Sequence, residues 1–95
     1  MEVRVIASLV AKPEFVNEVK EAVLQVIEPS REEQGNLQYD LHAESGQQGS
    51  FVFFERWESD EALDKHNKTQ HFGDFVKSIE GKLESIEIKK VKQIA

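Results

Sequence analysis

The sequence predicts one α+β domain of ferredoxin-like order, β-α-β-β-α-β, with its helices on one face of an antiparallel sheet. Three observations carry this. Apolar residues repeat every second position in four stretches and at helical spacing between them, in that order along 95 residues. The length suits a single domain, residues 1–95, and no linker or low-complexity segment divides it. The strands carry bulk on both faces, so helices on one side leave the other side needing cover.

Residues 2–11 alternate Val3, Val5, Ala7 and Leu9 against Arg4, Ile6, Ser8 and Val10. Both sets are largely apolar, which predicts a central strand covered on both faces. Pro13 suits the first turn of a helix, with Glu14 beside the positive end of its dipole. Phe15, Val16, Val19, Ala22, Val23, Val26 and Ile27 then keep helical spacing for one buried face. Pro29 should interrupt this helix, with a short continuation through Glu32 and a left-handed cap at Gly35.

The stretch NLQYDLHAE sets Leu37, Tyr39, Leu41 and Ala43 against Gln38, Asp40, His42 and Glu44, and so predicts a strand. SGQQGS is a turn-rich loop, and FVFFERWE is a strand with Phe51, Phe53 and Trp57 opposite Val52 and Phe54. Ser59 and Thr69 are caps for two successive helices. The first is short, with Ala62, Leu63 and His66 on one side. The second carries Phe72, Phe75, Val76, Ile79 and Leu83 on one face and is weakened by Gly81. A last strand is expected from Ile86 to Ile94, bulged where the apolar phase slips between Ile88 and Val91.

Composition removes several function classes. A net charge of −6 opposes nucleic-acid binding, which needs a clustered basic face. Lys89, Lys90 and Lys92 make only a short basic run, suited to keeping an edge strand soluble. The absence of cysteine excludes disulfides, thiolate metal sites and cysteine nucleophiles, and fits a cytoplasmic protein. No apolar stretch approaches the roughly 20 residues that span a bilayer. The start, MEVRVIASLVAK, is broken by Glu2 and Arg4 and reads as a strand rather than a signal peptide. No membrane partner is expected. The uncovered sheet face predicts a homodimer.

The residues suited to chemistry gather in WESDEALDKHNKTQHF, which holds the only Trp and two of the three His. His66 follows Leu63 by three positions and Ala62 by four, so it shares their face of the helix. His71 opens the next helix, from which its ring could reach back toward the sheet. Neutral imidazole is the natural base near pH 7. Trp57 suits either an aromatic pocket wall or plain core, and Tyr39 either packing or a hydrogen bond to substrate. Glu55 shares a strand face with Trp57, where burial would demand a partner: Arg56 of another chain, a Lys or a hydroxyl. His42 lies on the polar face and reads as a solvated or dimer-contact residue. No metal is expected, because His66 and His71 do not share a helical stripe and no carboxylate is obviously placed to complete a set. There is no G-x-S-x-G elbow for a nucleophilic serine.

The stretch ERWESDEALDKHNKTQHF, together with SREEQGNLQYDLH, resembles the antibiotic biosynthesis monooxygenase domain family, in particular its small bacterial members, which include quinol monooxygenases. Glu55, Trp57, Glu58, Ser59, Leu63, His66, Thr69 and His71 carry the match. The resemblance implies a dimeric α+β barrel with a small-molecule pocket between the sheet and helices of each monomer. It also implies, for some members, oxidation of a hydroxyaromatic or quinol by O2 with no metal or organic cofactor. On that reading His66 and His71 are the candidate catalytic residues. Trp57, Tyr39, Glu55, Leu63 and Phe72 are the candidate substrate contacts, and an aromatic small molecule and O2 are the partners. Haem-degrading relatives use an Asn on the first strand and a His late in the second long helix. Here those places hold Ala7 or Ser8 and Val76 or Lys77, which argues against haem. Two alternatives stand beside this reading. One is an isomerase of a phosphorylated sugar of the autoinducer-2 type, although Arg31, Arg56, Lys65 and Lys68 are too scattered for an obvious anion site. The other is a non-catalytic dimeric ligand-binding module.

Overall fold

The computed structural model describes residues 1–95. Strand β1 (Val3–Ala11) leads through a 3-10 turn (Pro13–Phe15) into α1 (Val16–Gln25) and α2 (Ile27–Arg31). Strands β2 (Asn36–Ala43) and β3 (Ser50–Trp57) follow, then α3 (Asp60–Asn67), α4 (Gln70–Ile79) and β4 (Leu83–Val91). All neighbouring strands are antiparallel in the order β2-β3-β1-β4, the ferredoxin-like arrangement with β3 and β1 at the centre. No helix is long and apolar enough to cross a membrane.

Pro29 explains why the first helix comes in two pieces. Its ring conflicts with the carbonyl four residues back, at Gln25, and its nitrogen cannot donate, so the helix breaks at Val26 and restarts. Gly35 ends the excursion at φ +94°, a conformation that disfavours any side chain. A Cβ there would also lie 2.7 Å from the Cβ of Ala62 on α3. The turn carrying Glu33 is therefore pressed onto α3, held further by the Glu58 amide donating to the Gly35 carbonyl at 2.8 Å.

Register stacks side chains into rows across the helix-covered face. One row runs Tyr39, Glu55, Val5, Lys90, and the next runs Leu41, Phe53, Ala7, Ile88. Val5, Ala7, Leu9, Phe51, Phe53 and Trp57 pack there against Val19, Val23, Val26, Leu63, Phe75 and Ile79 of the helices. On the opposite face Ile6, Val10, Val52 and Phe54 remain half-buried, among Arg4, Arg56 and Asp40. His42 is exposed on that face, its Nδ1 3.3 Å from the Val52 carbonyl.

Three local expectations are corrected. Leu83 does not extend the second long helix: Gly81, at φ +76°, turns the chain after Ile79, and Leu83 begins β4. That strand accordingly runs Leu83–Val91 rather than Ile86–Ile94, and its irregularity lies where Val10 pairs Ser85 but Ala11 pairs Leu83, not between Ile88 and Val91. Leu37 falls at a register shift between Asn36 and Gln38 and is exposed, so it does not share the buried fate of Tyr39.

Candidate active site

Ser59 and Thr69 cap α3 and α4 as their sequence positions predict. Ser59 Oγ accepts from the Ala62 amide at 3.2 Å, and Thr69 Oγ1 accepts from the Phe72 amide at 3.2 Å. Thr69 also donates to the His66 carbonyl at 2.8 Å. One hydroxyl thus ties the end of α3 to the start of α4, and that junction fixes His66 and His71 relative to each other. Their ring centroids are 6.0 Å apart.

Between them stands Glu33, which the sequence did not single out. Its Oε2 lies 2.6 Å from His66 Nδ1 and 2.7 Å from His71 Nε2. A carboxylate only accepts, so each imidazole presents an N–H to it. His66 is 1% exposed, and its remaining nitrogen, Nε2, has no hydrogen-bond partner. Around the ring stand Trp57 at 4.6 Å, Phe72 at 4.9 Å and Tyr39 at 5.4 Å between centroids. Burial lowers the His66 pKa below its ordinary value, against the opposing pull of Glu33. Neutral His66 with its proton on Nδ1 therefore has a free lone pair on Nε2.

His66 lines a cavity of about 360 Å³ between the sheet and α3 and α4. Its floor is Val5, Ala7, Leu9, Phe53, Ile86 and Ile88, and its roof is Leu63, Phe72, Phe75, Val76 and Ile79. The few polar groups on it are Tyr39, Glu55, His66, Asn67 and Lys90, the last paired with Asp60 at 2.8 Å. An apolar slot with a few converging polar groups is the usual form of a small-molecule site. It lies between sheet and helices, where the resemblance implied.

Glu55 is the second unusual group. It is 6% exposed, and burial, opposed by the indole of Trp57 and helped by the charge of Glu33, raises its pKa to about 7. Its partner is neither Arg56, a Lys nor a hydroxyl, as expected from the sequence, but Trp57 Nε1, which donates to Oε1 at 2.9 Å. Trp57 itself is fully buried and is not a cavity wall; it stands behind Glu55 and His66. Burial, then the charges of Glu55 and Glu33, push the Tyr39 hydroxyl well above its ordinary value. Tyr39, Glu55, Leu63, Phe72 and His66 thus meet at the cavity. His71 does not line it; it borders a separate depression beside Asp74 and Ser78.

Where the sequence shows no carboxylate obviously placed to complete a set with the two histidines, the structure supplies one: Glu33, His66 and His71 place ligand atoms within 4.8 Å of one another. Glu33 lies within SREEQGNLQYDLH, one of the stretches that carry the resemblance, but nothing in its spacing points to the two histidines. Glu33 sits in the turn after α2, 33 positions before His66, outside any periodic element.

Comparison with known proteins agrees with the fold. The chain is 39% identical over 70 residues to the Bacillus subtilis protein named "Putative monooxygenase YcnE", spanning 74% of each chain. The solved structure of PA3566 from Pseudomonas aeruginosa superposes with a TM-score of 0.94 at 32% identity, covering 99% of this chain and 95% of that one. Rv0793 from Mycobacterium tuberculosis superposes with a TM-score of 0.92 at 28% identity, covering 100% and 97%. The profile described as "Antibiotic biosynthesis monooxygenase" matches residues 2–78, which hold every cavity-lining residue except Ile79 and those of β4, and the chain belongs to that family.

Proposed function

We propose that the protein is a monooxygenase that oxidises a small hydroxyaromatic or quinol with O2 and without a resident cofactor, His66 being the base. The observation that carries this reading is the buried, unpartnered Nε2 of His66, on a ring that borders an apolar cavity and whose Nδ1 is committed to Glu33. Membership of a monooxygenase family supports the reaction class. The only cationic side chain on the cavity, Lys90, is ion-paired to Asp60, which suits an uncharged planar substrate better than a phosphorylated one.

His66 Nε2 takes the proton of a substrate hydroxyl, and the resulting anion gives up an electron to O2 more readily than the neutral phenol. The radical pair combines at a ring carbon, and the imidazolium returns its proton to give a hydroperoxide. His66 then removes the proton on that carbon as the O–O bond breaks, leaving a carbonyl. The departing oxygen takes the Glu55 proton and leaves as water, and His66 restores that proton. One oxygen atom is retained, the other becomes water, and the substrate supplies all four electrons. Phe72, Leu63 and Phe53, which line the cavity, hold the ring plane and exclude water, and Tyr39 gives a hydrogen bond to a substrate oxygen.

The test is O2 uptake by purified protein across a panel of quinols and naphthols. His66→Ala is expected to lower kcat by about 10²–10⁴. No uptake by the wild type, or equal uptake by the variant, refutes the assignment.

We also propose a homodimer formed through the open sheet face, where Ile6, Val52 and Phe54 are only half-buried. Sedimentation equilibrium should give twice the chain mass, and Phe54→Asp should give the monomer. A monomeric wild type removes the idea.

A further inference from the structure

The Glu33–His66–His71 triad has a second use that proton transfer in the cavity does not require. Three donor groups from three segments converge, and only His66 faces the cavity. Two imidazoles and one carboxylate are ligands of intermediate softness, suited to zinc, cobalt or nickel rather than to calcium or magnesium. We propose that Glu33 Oε2, His66 Nδ1 and His71 Nε2 form a binding site for a divalent transition ion of the zinc class, whose occupancy switches off the base on the cavity side.

The geometry is close to what an ion needs. Bonds of about 2.1 Å to each ligand atom set those atoms roughly 3.0–3.4 Å apart. The two nitrogen–oxygen separations, 2.6 and 2.7 Å, need to widen by under an ångström, and the two nitrogens, now within 4.8 Å of each other, need to settle at the same spacing. An approach from solvent exists too. Glu33 borders a polar depression of about 310 Å³ that Glu58, Glu61 and Lys65 also line, and three carboxylates against one ammonium favour cations over anions there.

The switch follows from the two nitrogens of one ring. Without an ion, the proton of His66 sits on Nδ1 against Glu33, and Nε2 is a base. With an ion on Nδ1, the neutral ring carries that proton on Nε2, which can donate but not accept. The ring charge is unchanged, yet Nε2 changes from acceptor to donor. This second half rests on the reading of His66 as the base; the binding site does not.

The experiment titrates metal-free protein with Zn2+ by calorimetry and with Co2+ by its visible absorption, alongside Glu33→Gln, His71→Ala and His42→Ala. One ion per chain is expected, with affinity lowered at least about tenfold in Glu33→Gln and His71→Ala and unaltered in His42→Ala. Circular dichroism and Tm establish that the variants are folded; Glu33→Gln is nearly isosteric, and His71 is partly exposed. Affinity unchanged in Glu33→Gln and His71→Ala, or no binding by the wild type, overturns the site. Turnover is then followed with and without Zn2+. Inhibition of the wild type but not of His71→Ala supports the switch, and bound zinc that leaves wild-type turnover unaltered overturns it. Failure of the substrate reading appears separately, as absent turnover in metal-free protein, and the binding results still decide the site.

Discussion

The Trp57 indole donates to the Glu55 carboxyl across 2.9 Å, and both residues are shut away from solvent. This is the one hydrogen bond that favours the ionised form of Glu55, while burial and the charge of Glu33 favour the protonated form. Trp57→Phe keeps an aromatic ring beside His66 but removes the donor. The Glu55 pKa should therefore rise above about 7, and the unpaired acceptor should cost about 1–3 kcal/mol of stability. Carbon-detected NMR titration of the Glu55 carboxyl and urea unfolding measure the two effects. A pKa that stays put or falls shows that the indole does not hold the carboxylate.

The same group makes stability depend on pH in a defined window. Folding raises the Glu55 pKa from 4.5 to about 7, so its favourable contribution is fully present below 4.5 and is lost as pH rises through 7. The loss amounts to about 3 kcal/mol between those limits. Glu55→Gln cannot titrate. The difference in unfolding free energy between variant and wild type should move in favour of the variant from pH 5 to pH 8, as measured by urea melts. Parallel curves over that range contradict a buried, protonatable Glu55.

What the sequence made legible follows from what repeats or caps. The alternations in residues 2–11 and 51–58 place Val5, Phe53 and Trp57 on the covered face, and the Ser59 and Thr69 hydroxyls end up on the amides their positions imply. His66 is found on the buried side of its helix because Leu63 shares that side. Glu33 was not legible, since a residue in an irregular turn has no period to betray its direction. Its contact with two histidines needs the Pro29 break, which the sequence marks, and the close approach of Gly35 to Ala62, which is tertiary and which the sequence does not mark. The Trp57–Glu55 bond was hidden for a different reason. Neighbours on one strand face are predictable, but which of several donors reaches a buried carboxyl depends on side-chain packing. The end of the second long helix was misplaced because Leu83 continues a helical spacing that Gly81 cuts short.

Gly35 is the hinge on which the Glu33 geometry depends, so it gives the sharpest test of how the site is built. Gly35→Ala meets two penalties. A side chain at φ +94° costs about 1–2 kcal/mol, and a Cβ lying 2.7 Å from the Ala62 Cβ forces the turn and α3 apart, at about 1–3 kcal/mol more. The Ala62 methyl cannot swing aside, because it is fixed to the helix backbone. A double variant, Gly35→Ala with Ala62→Gly, removes the clash but keeps the conformational strain and adds the weaker helix propensity of glycine, about 1 kcal/mol. Separation of the turn from α3 should also lengthen the Glu33–His66 contact. The single variant should then lose stability and show altered imidazole nitrogen shifts for His66, whereas the double variant should recover the shifts without recovering all the stability. Native shifts in Gly35→Ala would mean that the Glu33–His66 contact holds the turn in place, rather than the turn holding the contact.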